Sequence, residues 1–172
     1  MSPPRQLDPD SLGDHIDRLF RAAWSLTGSR EEAEDLVQET FARVLRKPRL
    51  LRSEDDLGYL LRVLRNTYFS ARRTAARRPQ TTPLPEDDAM LEDRMAAQPE
   101  ARLEARLEAG ELYAAIAALP EDFRDALIAV DVLGLSYREA ARALRVREAT
   151  VTSRLHRARQ RVAGALRSEA PG

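Results

Sequence analysis

Cysteine is absent from the chain, which removes disulfide cross-links, thiolate nucleophiles and cysteine-based zinc sites together. Histidine is almost as scarce: His15 and His156 lie far apart, and neither has carboxylates at a spacing suited to a metal. No run of about 18 apolar residues occurs, so no segment reads as a membrane span. The first residues lack a basic stretch followed by an apolar core, so they do not read as a secretory signal. There is no glycine-rich phosphate loop and no nucleophile–base pairing, so neither a catalytic step nor a cofactor is expected. Lysine is reduced to Lys47 and asparagine to Asn66. What remains is a soluble cytoplasmic protein whose 172 residues allow one ordinary domain or two small ones.

Charge is present in abundance and sorted into blocks. Residues 1–40 hold 4 basic and 9 acidic side chains, net −5, and residues 41–80 hold 11 and 3, net +8. Residues 81–130 hold 4 and 12, net −8, and residues 131–172 hold 9 and 4, net +5. The net charge of zero therefore hides two basic blocks, and a basic block is the usual footprint of a nucleic-acid surface. Nearly all of this positive charge is arginine, which suits bidentate contacts to phosphate and guanine. GC-rich coding produces the same bias.

Apolar residues recur at helical spacing throughout, so the expected fold class is all-α. A first helix is expected from about Ser11 to Thr27, with Leu12, Ile16, Leu19, Phe20 and Ala23 inward and Gly28 ending it. Ser29 and Glu32 form a capping-box pair for a second helix to about Arg46, with Ala33, Leu36, Val37, Phe41, Val44 and Leu45 as its core stripe. A basic loop, Lys47 to Arg52, precedes a third helix capped by Ser53 and Asp56. Its inner stripe is Leu57, Leu60, Leu61, Leu64, Tyr68 and Ala71. Three such helices bury a common core, so residues 10–78 read as one small helical domain. Pro79 to Pro99, rich in proline and acid, reads as an extended linker. The helical pattern returns from Glu100 to about Leu119, and Pro120 opens another helix that stops near Gly134. Ser136 and Glu139 cap SYREAARAL, and a basic last helix follows a break at Arg145–Val146. The last pair matches a helix-turn-helix.

Two helix faces carry the functional candidates. On the third helix Tyr59, Arg62, Arg65, Asn66, Phe69, Arg72 and Arg73 lie opposite the apolar stripe. Arginines follow a backbone while rings stack on bases, which fits single-stranded nucleic acid. The Asn66 amide is able to read the Watson–Crick edge of an unstacked base. The plain alternative is that the rings pack beneath the neighbouring loop and Asn66 is incidental. On the last helix Val151, Leu155, Ala158 and Val162 point inward. Thr152, Ser153, His156, Arg157 and Gln160 point outward, flanked by Arg154, Arg159 and Arg161. Hydroxyls, an imidazole and arginine suit base edges in a major groove, and flanking arginines suit phosphate. The second helix sets Asp35, Gln38 and Glu39 opposite its core; a solvated strip and a docking strip for a basic partner both fit.

The segment LFRAAWSLTGSREEAEDLVQETFARVL followed by YLLRVLRNTYFSARR resembles region 2 of an extracytoplasmic-function (group 4) RNA polymerase sigma factor. ALPEDFRDALIAVDVLGLSYREAARALRVREATVTSRLHRARQRV resembles region 4 of the same family. The resemblance implies two small helical domains, 10–78 and 109–167, joined by an acidic, proline-containing linker at 79–108 that runs into a helix. It implies a subunit that binds core RNA polymerase, recognises −35 and −10 promoter elements and initiates transcription. Asp35, Leu36, Gln38 and Glu39 match the segment that docks on the β′ clamp helices. The loop from Lys47 to Leu57 and the third helix match the parts that melt and capture the −10 element. There Tyr59, Arg62, Arg65, Asn66, Phe69, Ser70 and Arg73 would hold the single strand, Asn66 reading a flipped base. Tyr137, Arg147, Thr152, Ser153, Arg154, His156, Arg157 and Arg159 match the surface for the −35 element. The helix around Phe123 to Val132 matches the part facing the β flap. Partners implied are core polymerase, promoter DNA and, in many members, an anti-sigma protein; no small-molecule substrate, metal, membrane insertion or further C-terminal domain is implied. Three positions depart from the family: Arg145 and Ala149 stand where glycine is common, and Thr152 where a basic residue is frequent. A conventional helix-turn-helix regulator that never joins polymerase is the competing expectation; it would lack the first domain.

Overall fold

Gly28 ends the first helix because its left-handed backbone, φ 70°, lets its N–H reach back to the Trp24 carbonyl. The computed structural model describes residues 3–51, 55–77 and 99–169. Among them are helices α1 (Leu12–Thr27), α2 (Arg30–Arg46), α3 (Asp56–Arg77), α4 (Pro99–Ala117), α5 (Glu121–Leu127), α6 (Tyr137–Leu144) and α7 (Glu148–Glu169). The helical expectation omits one feature, a two-residue antiparallel pairing of β1 (Arg5–Gln6) with β2 (Leu50–Leu51). Arg5 extends this tie to the start of α3 through a 2.6 Å ion pair with Asp56.

In the N-terminal unit α1 packs on α2 and α3. Leu19, Leu26, Leu60, Leu61 and Leu64 lose essentially all contact with solvent. Each contributes roughly 1.5–3 kcal/mol of transfer free energy, far more than intrinsic propensity supplies per residue. Thr40, Thr67 and Ser25 are equally buried, and each hydroxyl donates to the carbonyl four residues back, so no polar atom among them is orphaned. Ser29 caps α2 by accepting from the Glu32 N–H.

Several expected positions shift. Ser53 lies outside the described residues; Asp55 caps α3, accepting from the Gly58 N–H at 2.7 Å. A side chain at Gly58 would collide with that carboxylate. Ile16, Leu45 and Ala71 are exposed rather than core, because three small helices close over a stripe narrower than their apolar pattern. Tyr59, assigned to the outer face of α3, is buried with 8% exposure, since the chain between α2 and α3 folds across it. Leu36, which the resemblance places with the docking segment, faces the core at 7%, as the α2 apolar stripe expects. The expected linker from Pro79 falls almost entirely outside the described residues.

In the C-terminal unit α5 widens at its end into a π-helical turn, Ile128–Val132, with the Leu133 N–H reaching the Ile128 carbonyl at 2.9 Å. Both arms of the Ser136–Glu139 capping box form, at 3.2 and 2.7 Å. Arg145 terminates α6 in the left-handed region, φ 57°. The inner stripe of α7, Val151, Leu155, Ala158 and Val162, is buried as expected. The two units share a seam in which α4 lies on α1 and α6 lies on α3. Trp24 meets Tyr113 across it with ring centroids 4.6 Å apart.

Candidate nucleic-acid interface

Burial of the leucine stripe turns the opposite side of α3 outward. Asn66 and Arg73 are exposed there, and Arg62, Phe69 and Ser70 half-buried. Asn66 stands on the wall of an open cavity of about 220 Å³, with Arg43, Lys47, Arg49, Tyr59, Val63 and Thr67 as its other walls. Tyr59 therefore forms part of the cavity wall instead of an exposed stacking platform. Phe69 meets Tyr68 edge-on at 5.3 Å and has the Arg65 guanidinium 5.9 Å from its ring centre. Arg65 itself is turned toward the C-terminal unit, where it pairs with Asp125 at 2.6 Å. Lys47 and Arg49 belong to the loop that the resemblance groups with α3, but reading along single helices overlooks Arg43 of α2 as a neighbour of Asn66. Their signal is the basic block at residues 41–80, which the fold gathers around one cavity.

On α7 Thr152, Ser153, His156 and Arg157 are exposed side by side. The Thr152 and Ser153 hydroxyls donate to the Glu148 and Thr150 carbonyls, which leaves their lone pairs outward. Arg157 has no ion-pair partner among the described residues. The flanking arginines differ: Arg154 pairs with Asp122 at 3.1 Å, and Arg159 forks onto both oxygens of Asp131 at 2.6 and 2.8 Å. This fork holds the Arg159 guanidinium charged well above its usual range. Arg161 lies over the Phe123 ring at 5.1 Å. These three brace α7 against α5 and the π-helical turn that follows it, as well as adding positive charge. Tyr137 and Arg147 are exposed at the starts of α6 and α7, and the Arg147 carbonyl accepts the Thr150 and Val151 N–H groups.

Residues 12–78 match the family described as Sigma-70 region 2, and residues 109–162 match Sigma-70, region 4. The ECF RNA polymerase sigma factor EcfG of Rhodopseudomonas palustris is 35% identical over 162 residues, covering 91% of this chain and 86% of that protein. The chain belongs to the ECF RNA polymerase sigma factors. A conventional helix-turn-helix regulator is thereby set aside, since the region 2 match spans the domain such a regulator lacks. The ECF sigma factor SigE of Mycolicibacterium smegmatis is 38% identical over 151 residues; the chain spans 57% of its length. Among solved structures, the sigma factor RpoE of Bartonella quintana, in complex with the anti-sigma factor NepR, superposes with a TM-score of 0.64 at 24% identity. That superposition covers 95% of this chain and 100% of that one, so the overall fold is shared.

Within this sigma factor, α2 presents Asp35, Gln38 and Glu39 to solvent, with Glu39 paired to Arg43 at 3.0 Å. Leu36 does not join them. No helix of the described residues is long and apolar enough to cross a membrane, and no group of side chains among them is suited to hold a metal ion.

Proposed function

We propose that this ECF sigma factor docks on core RNA polymerase through the Asp35–Gln38–Glu39 strip of α2. In this reading it holds the separated −10 strand along α3 and reads the −35 duplex with α7. The flanking arginines Arg154 and Arg159 serve the phosphates, and Arg157 and His156 the base edges. The domains so assigned are 10–78 and 109–167, with 79–108 as the connection. The supporting observation is that one chain carries two exposed faces of different chemistry. One is an arginine and ring surface beside a cavity with an amide at its wall, and the other a polar helix of groove-reading type. The cavity of about 220 Å³ opens to solvent beside Asn66, and Arg43, Lys47 and Arg49 supply charge for the phosphates beside it. No catalytic step of its own belongs to this role, and the place of action is the cytoplasm, where polymerase and promoter meet. A protein that covers one of these faces, as an anti-sigma factor would, is a further partner.

Run-off transcription with purified core polymerase is the direct test. Specific starts that depend on adding the chain are expected, together with no promoter opening by the chain alone. Tight binding to one duplex operator with no initiation would sink the proposal.

A further inference from the structure

Two walls of the Asn66 cavity, Lys47 and Arg49, come from the chain that leaves α2. Pro48 disfavours helical geometry at Lys47, and the φ −130° and ψ 77° of Lys47 turn the chain out of the helix. Arg43, Lys47 and Arg49 then meet around one cavity although their like charges oppose it. Attraction to α2 is therefore not what keeps the loop in place.

The N-terminal segment supplies the hold. β1 pairs antiparallel with β2, setting Arg5 opposite Leu51 and Gln6 opposite Leu50, and β1 is the one strand beside β2 among the described residues. Arg5 Nη2 also donates to Asp56 Oδ1 at 2.6 Å, so one residue ties β2 to the first turn of α3. Two strands alone are marginal in water; here the buried Leu51 side chain and the ion pair support them. At its other end the segment is fixed to α1, because the Ser11 hydroxyl and N–H both donate to the Asp8 carbonyl. Between these ends Leu7 and Pro9 close a small cavity of about 90 Å³ with Leu12 and Val44. Arg49 and Tyr59 line both this cavity and the one at Asn66, so they are the partition between the N-terminal segment and the proposed base site.

We propose that the segment from Arg5 to Pro9 sets the shape of the −10 base site: β1 and the Arg5–Asp56 pair hold Lys47, Arg49 and Tyr59 at the spacing in which Asn66 discriminates bases. Arg5 is thus a positioning residue for −10 recognition, acting through the loop without touching the strand. The inference rests on the reading of α3 as the single-strand surface.

Two changes to the chain test this. Arg5→Glu sets two carboxylates against each other, and deletion of residues 2–6 removes the pairing while Leu7 stays. The Arg5 side chain is 40% exposed and lies outside the leucine core, so both variants should fold. Millisecond hydrogen exchange at residues 47–51 reads whether the loop is held. Run-off transcription with core polymerase, on promoters carrying each base at every −10 position, reads selectivity. Both variants should exchange faster and lose about fivefold in base preference at the position where Asn66→Ala acts, comparable to the weaker paired base contacts. Duplex −35 binding should stay as in the unaltered chain, and Arg5→Lys should keep both slow exchange and preference. Unchanged exchange in both variants would overturn the hold. Faster exchange with an intact −10 profile, where Asn66→Ala flattens it, would make β1 local structure only and overturn its part in recognition. An intact profile in Asn66→Ala as well would sink the reading of α3, while the exchange result still decides whether β1 holds the loop.

Discussion

Asn66 leaves α3 toward solvent beside Arg62 and on the opposite side from Leu60, Leu61 and Leu64. An amide supplies one donor group and one acceptor, enough to discriminate base edges but little charge-driven affinity. Asn66→Ala should therefore change stability by less than about 0.5 kcal/mol, as for other exposed sites. It should also relax base preference at one −10 position while leaving −35 duplex binding intact. Transcription from promoters carrying each base at every −10 position, with permanganate footprinting, reads the effect; an unaltered preference profile would remove Asn66 as reader. Arg145 makes a different residue-scale point. Its left-handed backbone, φ 57°, costs an L-residue about 1–2 kcal/mol, and glycine adopts it freely. Allowing for the greater freedom of glycine in the unfolded chain, Arg145→Gly should stabilise the fold by about 0.5–1 kcal/mol, measured as a raised urea midpoint.

At the scale of the element, the start of α6 depends on a charge. The Ser136 backbone N–H donates to the Glu139 carboxylate, and this holds the carboxyl below its usual range. A depressed folded value means that the cap stabilises above the unfolded value, about 4.3, and is lost as pH falls through the folded one. Glu139→Gln keeps an acceptor but no charge, so the difference in urea midpoint between it and the unaltered chain should shrink below about pH 4. A difference independent of pH would show that the box acts by shape alone. The exposed strip of α2 is testable at the same scale. Gln38→Arg with Glu39→Arg should leave the helical circular dichroism unchanged and weaken retention on immobilised core polymerase, because both side chains face solvent. Full retention would make the strip an ordinary solvated surface.

For the whole molecule, the seam between the units sets which surfaces are presented together. Trp24 meets Tyr113 with tilted rings and Arg65 pairs with Asp125, so the two units are joined along this seam. Replacing the one tryptophan by fluorotryptophan places a single fluorine reporter at this seam. Its resonance should move when unlabelled core polymerase is added, and move in the same direction in the Asp125→Ala chain alone. A resonance indifferent to polymerase would mean that the seam survives docking.

Local chemistry alone determined most of the fold: the positions of Gly28, Ser29 and Ser136 set helix ends, and the Val151–Leu155–Ala158–Val162 spacing set the buried side of α7. These features are legible because a cap or a helical stripe is satisfied within a turn or two of chain. The exposed parts of both candidate faces, Asn66 on α3 and His156 and Arg157 on α7, were legible for the same reason. Tyr59, Ile16 and Leu45 were not, because whether a residue at the border of a stripe is covered depends on what distant chain folds over it. The gathering of Arg43, Lys47 and Arg49 around Asn66 likewise required α2 and α3 to be packed together. The Arg65–Asp125 pair joins residues sixty positions apart, and helical periodicity carries no signal over that distance. Only the tertiary structure could decide that an arginine on the proposed strand face of α3 already has a carboxylate as its partner.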